Sequence, residues 1–175
     1  MKNKHIISVP LPNDMELLGD GSNFQDAIYS MLGKAQGFEN FEPSELMFLA
    51  KHMKAYRVPA GVTIFRERDK NSYLGVLVEG RICVYKEDSN DECKLFGFVT
   101  EGRIFGEISV IDDLPYSASL VSETDAVILL MGRESFRQCI ADNSIFGVRL
   151  LKLIARLLCT RLRSTSGQLV DYIDV

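Results

Sequence analysis

The chain has no tryptophan, two histidines, five prolines and four cysteines among its 175 residues. Each scarcity excludes something. Cys83, Cys93, Cys139 and Cys159 include no CxxC pair, so they are read as reduced, buried thiols rather than a disulfide framework. With no apolar segment of signal-peptide type after Met1, the expected compartment is the cytoplasm. No apolar run reaches the roughly 20 residues that a membrane helix needs, so no membrane association is expected. Lys and Arg total 20 against 24 Asp and Glu, a net charge of −4. A general nucleic-acid binder needs a basic excess to neutralise phosphates, and this chain lacks one. His5 and His52 are isolated, and His52, on a helical stretch far from any candidate site, is read as a packing or surface residue. The acidic pair Asp112-Asp113 has no histidine nearby, which leaves no base, nucleophile or metal set. No catalytic residue, metal ligand or cofactor is therefore assigned, and the chain is read as a non-enzyme.

What is present suits a folded domain. Hydrophobic residues make up 46% of the chain and the mean hydropathy is +0.03, enough to bury a proper core with a helical element appended. Residues 1–23 mix Lys, Asn, Pro, Gly and Asp without periodicity and read as an N-terminal arm. Phe24, Ile28, Met31 and Leu32 recur at helical spacing up to a stop at Gly37, and Pro43 with Glu45 opens a second helix. From Ala55 the texture becomes short β-rich runs separated by turns: 55–58, 62–65, 73–78, 81–85, 94–99, 118–121 and 126–131. Evenly spaced strands of this length indicate a sandwich or small barrel. Residues 24–133 are thus expected to form a β-roll domain with N-terminal helices, and 134–175 a helical element.

The last helix, expected over 144–166 with Gly167 as its stop, carries two apolar faces. Phe146, Leu150, Leu153 and Leu157 share one, while Val148, Leu151, Ala155, Leu158, Leu162 and Thr165 follow a three-four spacing on the other. One stripe can cover the β unit. The second requires another surface, which a parallel two-fold partner supplies, so a homodimer through this helix is expected. Folding back within one chain is the alternative.

The most informative stretch is Phe105-Gly106-Glu107-Ile108-Ser109, followed after a polar loop by Pro115-Tyr116-Ser117-Ala118. Gly106 allows close backbone approach, the N–H groups after it open a short helix suited to an anion, and Glu107 can accept hydrogen bonds from hydroxyl groups. A sugar phosphate fits this chemistry.

This run resembles the phosphate-binding cassette of the cyclic-nucleotide-binding domain family, as in regulators of the cyclic-AMP receptor and FNR type. The likeness extends over about 41–131 in the order of turns, strands and glycines. It implies a β jelly roll followed by a dimerisation helix. It also implies a ligand site built from Gly80, Phe105, Gly106, Glu107, Ile108, Ser109, Tyr116, Ser117 and Ala118, with Thr165 and Ser166 as a pair late in the helix that would touch the base. Glu107 would take the ribose 2′-hydroxyl, and Ser117 with the neighbouring N–H groups the cyclic phosphate. Two departures matter. The family's phosphate-binding arginine is Tyr116 here, a loss of about 2 kcal/mol and so more than tenfold in affinity for cyclic AMP. A family glycine is Arg68, which a left-handed turn would strain. The chain ends at Val175, which leaves no length for the helix-turn-helix of those regulators, so DNA reading is not expected. The expected function is a regulatory sensor of a nucleotide or related anion that signals through its C-terminal helix. The alternative is a vestigial pocket on an interaction or scaffold dimer.

Overall fold

The computed structural model describes residues 11–170, with side chains up to residue 167. Two compact units follow one another, one up to Arg137 and one from Gln138.

Among the described residues of the first unit, nine strands form two antiparallel sheets. One has the order β1 (Glu16–Asp20), β2 (Lys54–Val58), β9 (Ala126–Gly132), β4 (Tyr73–Glu79), β7 (Ile104–Phe105). The other has the order β3 (Thr63–Phe65), β8 (Ser119–Ser122), β5 (Ile82–Glu87), β6 (Cys93–Val99). Strand alternation sends one set of side chains between the sheets. There Val58, Leu77, Phe105, Ile128 and Leu130 of the first sheet meet Ile64, Phe65, Ile82, Val99 and Leu120 of the second. Each such side chain contributes roughly 1.5–3 kcal/mol by leaving water, so this core sets the frame on which the turns are held. The expected mainly-β jelly roll with flanking helices and a long C-terminal helix is what the chain forms.

Helices α1 (Gln25–Leu32) and α2 (Pro43–Ala50) bury Ile28, Leu32, Leu46 and Leu49. Helix α2 starts at Pro43 because Glu42 and Glu45 form a reciprocal capping box, Glu45 accepting the Glu42 N–H at 2.8 Å. Helix α1 ends at Leu32, not near Gly37, since Gly33 and Lys34 already close the last turn onto Tyr29 and Met31. Strand β1 lies within the stretch read as an arm. Its pairing with β2 from Glu16↔Arg57 to Asp20↔Lys54 is a tertiary contact, and Leu17-Leu18 alone is too short a pattern to announce it. The first ten residues of that arm, with His5, lie outside the described residues.

Helix α4 (Arg133–Asp142) crosses from one unit to the next, and the second unit is mainly α5 (Ser144–Val170). Along α5, Phe146, Leu150, Leu153 and Ile154 are buried, whereas Ile145, Val148, Leu151 and Leu162 are exposed. Phe146, Leu150 and Leu153 of one expected face are thus buried and Val148, Leu151 and Leu162 of the other exposed, with Ile154 buried in addition and Leu157 half-buried, but Gly167 does not stop the helix. It sits inside the last turns with nothing near the place of its missing Cβ, where a helical glycine costs about 1 kcal/mol without ending the helix. The cysteines also divide: Cys83 and Cys139 are buried, while Cys93 and Cys159 are exposed. Among the described residues, no helix is long and apolar enough to cross a membrane.

Candidate functional site

Strand β7 ends at Phe105, whose ring lies over Gly75 of the neighbouring β4, where a Cβ would overlap the ring. The chain then turns sharply at Gly106, with φ 72°, to start the short helix α3 (Glu107–Asp112). Only glycine suits this corner, because the conformation is left-handed and a Cβ would overlap the Tyr73 carbonyl of β4. Glu107 and Ser109 are each 1% exposed, while Ile108 faces outward. The Ser109 hydroxyl donates to the Gly106 carbonyl at 3.2 Å and closes the turn on itself. Two side chains hold α3 from below: Ser72 Oγ donates to the Ser109 carbonyl at 3.1 Å and Arg133 Nη2 donates to it at 2.9 Å.

The other half of the cassette is fixed by backbone exchange. Arg68 N–H donates to the Tyr116 carbonyl at 2.9 Å and Tyr116 N–H to the Asp69 carbonyl at 3.1 Å. Arg68 adopts φ 69°, so the substituted turn keeps the left-handed geometry that the sequence implied, with the strain a side chain adds there. Its guanidinium pairs with Glu87 at 3.1 Å.

Tyr116 itself turns inward. It is buried, stacks on Phe65 with ring centroids 4.3 Å apart, and its hydroxyl accepts the Tyr73 N–H at 2.8 Å. Phe65 also stacks on Tyr73 at 6.0 Å, so the three rings make one aromatic block. Burial pushes the phenol of Tyr116 well above its ordinary range. A cleft of about 460 Å³ lies against this block, lined also by Leu11, Ile64 and Asp69, and it shares only Tyr116 with the expected ligand set.

Phe105 to Ser109 and Tyr116 to Ala118 both lie on the first unit, where the Phe65 ring is 5.9 Å from that of Phe105 and 4.3 Å from that of Tyr116, with Ser117 exposed and Ala118 half-buried. Gly80 lies in the β4–β5 turn at φ 94°, its N–H donating to Glu101 at 2.9 Å and the place of its Cβ filled by the Asp125 carbonyl. Thr165 and Ser166 belong to the second unit and are exposed on α5.

Sequence reasoning missed two features. Asp113, given no role in the sequence analysis, is left-handed at φ 61°, and its two carboxylate oxygens accept hydrogen bonds from Arg137 Nη2 at 2.9 and 3.0 Å. Arg133 Nε lies 3.4 Å from the same carboxylate, so the end of α3 is tied to α4. The second is Lys86, whose ammonium donates to the Ser117 carbonyl at 2.9 Å. The alternation Ile82, Val84, Lys86 was the available signal, but the strand was expected to end at Tyr85 and it runs to Glu87.

The comparisons with known proteins agree with this architecture. A family profile described as cyclic nucleotide-binding domain matches residues 56–143. A CRP-like cAMP-activated global transcriptional regulator of Mycobacterium tuberculosis is 29% identical over 143 residues, covering 82% of this chain and 62% of that protein. A cAMP-dependent protein kinase regulatory subunit of Aspergillus niger is 30% identical over 99 residues, covering 57% of this chain and 23% of the subunit. The chain thus spans less than two thirds of these relatives. Among solved structures, a cyclic nucleotide-binding domain from Methylobacillus flagellatus superposes with a TM-score of 0.80 at 26% identity, covering 93% of this chain and 91% of that one. With the profile match running from β2 to the start of the second unit and taking in the whole cassette, this chain belongs to the cyclic nucleotide-binding domain family.

Proposed function

We propose that the protein is a non-catalytic regulatory module that senses a nucleotide or related anion in the 105–119 cassette and signals through α5. The observation that carries this reading is the cassette itself, with the left-handed corner at Gly106, the buried Glu107 that follows it, and an exposed Ser117 in its other half. Relatives named for cAMP activation and cAMP-dependent regulation support the ligand class. The exposed stripe Ile145, Val148, Leu151 and Leu162 supports a homodimer through α5, since an apolar face on a long helix is stabilised by a second copy.

A specific observation favours a second reading. The aromatic block places a buried, neutral ring at the position where the family carries a cation. In that reading the pocket is vestigial and the protein is an interaction or scaffold dimer. Titrating the full chain with cyclic AMP, cyclic GMP and cyclic di-GMP while following thermal unfolding separates the two. Ligand at a hundredfold over its dissociation constant stabilises by about 2.7 kcal/mol, a shift of several degrees for a chain of this size. Unchanged melting at millimolar concentrations of all three supports the scaffold.

A further inference from the structure

The strand that pairs with β8 carries a cation beside the second half of the cassette. In the ladder between β5 and β8, Val84 pairs with Leu120 and Tyr85 with Ser119. Val84 packs on the core between the sheets and Ile82 is part of it, so by alternation Lys86 leaves the same face of β5, at the open end of the roll. Continuing the register sets it beside Ala118, and its ammonium reaches the Ser117 carbonyl at 2.9 Å. An ammonium has three donors, and the Ser117 carbonyl is the acceptor it meets among the described residues. Three guanidinium groups of the first unit pair with carboxylates, Arg68 with Glu87 at 3.1 Å, Arg81 with Glu123 at 3.0 Å and Arg137 with Asp113 at 2.9 Å, while Arg66 lines the cleft beside Tyr116. Arg133 is held by Ser72, the Ser109 carbonyl and Asp113.

We infer that Lys86 supplies the counter-charge for the ligand's phosphate, acting with the exposed Ser117 hydroxyl in the place that an arginine at 116 would otherwise fill. The inference rests on the sensor reading above and narrows its ligand class. A guanidinium fork matches the geometry of one phosphate, whereas an ammonium on a flexible stem is a point charge that answers to charge more than shape. The site therefore takes linear 5′-nucleotides as well as cyclic ones, and a doubly charged phosphomonoester competes with a singly charged cyclic phosphodiester.

The test is calorimetric titration of the full chain and of the Lys86→Met and Lys86→Arg variants with cyclic AMP, 5′-AMP and adenosine. Lys86 is exposed, so both variants should melt with the wild type. Expected is a loss of about tenfold or more for cyclic AMP and 5′-AMP in Lys86→Met. Adenosine affinity should stay within about twofold, and Lys86→Arg should restore most of the nucleotide affinity. Equal cyclic AMP affinity in wild type and Lys86→Met would overturn the role of Lys86 and leave the sensor reading standing. An equal loss for charged and uncharged ligands would likewise overturn it, by assigning Lys86 to packing. No binding of any of the three by wild type at 10 mM would overturn the sensor reading itself.

Discussion

Gly106→Ala is the substitution on which the geometry of the cassette speaks most clearly. At φ 72° a residue with a Cβ carries about 1–2 kcal/mol of left-handed strain. The added methyl would also overlap the Tyr73 carbonyl, which belongs to β4 and cannot withdraw freely, because Tyr73 pairs with Gly132 of β9 and its N–H binds the Tyr116 hydroxyl. Overpacking against backbone of this kind costs about 1–3 kcal/mol. Together the two effects remove about 4 kcal/mol, or roughly 10 °C in melting temperature for a chain of this length. Gly61→Ala is the control: its φ is 82°, yet nothing lies within 4 Å of the added Cβ. It should lose only the strain, about 1–2 kcal/mol, or roughly 4 °C. Calorimetric and urea unfolding of both variants measures the difference. Equal losses in the two would refute the claim that the Gly106 corner is packed against β4.

Three further outcomes follow from the same contacts. At position 68, Gly should be more stable than Ala by about 1 kcal/mol in urea unfolding, reversing the ordinary ranking, because both lose the Glu87 ion pair and only Ala keeps the strain of φ 69°. Burial raises the pKa of Tyr116 above its ordinary value and that of Cys139 to about 12. The folded state therefore holds protons that the unfolded chain has released, and stability that is intact below about pH 8.5 falls as pH rises beyond it, with Tyr116 adding to the decline above about pH 10. Tyr116→Phe should make the decline above about pH 10 shallower while lowering stability at neutral pH by about 1–3 kcal/mol, since the Tyr73 N–H loses its acceptor. In light scattering, Leu151→Glu with Leu162→Glu should reduce the mass from that of a pair to that of one 19.7 kDa chain; a single chain in the wild type would remove the dimer.

How much of this was legible in the sequence depended on the range of each contact. The strands from Ala55 to Met131 are written in local alternation and turn residues, and they lie close to where that pattern put them. The strain at Arg68 was visible because one missing glycine in a tight turn has a single local consequence. Lys86 was hidden by two residues of strand length. The ties from Asp113 to Arg133 and Arg137 span 20 or more positions and join a loop to a helix, so nothing in their spacing marked them. Likewise Tyr116 announced a lost charge, but only the fold shows that the ring stacks on Phe65 and caps the Tyr73 amide. Strand β1 was illegible for the opposite reason: its partner β2 supplies most of the order.

The most direct measurement is an amide-detected NMR titration of the full chain with cyclic AMP and 5′-AMP up to about 10 mM. The account predicts saturable shifts concentrated at Gly106 to Ser109 and at Ser117 and Ala118, with smaller ones at Lys86. Unmoved amides across both halves of the cassette, or shifts confined to residues elsewhere, would contradict it.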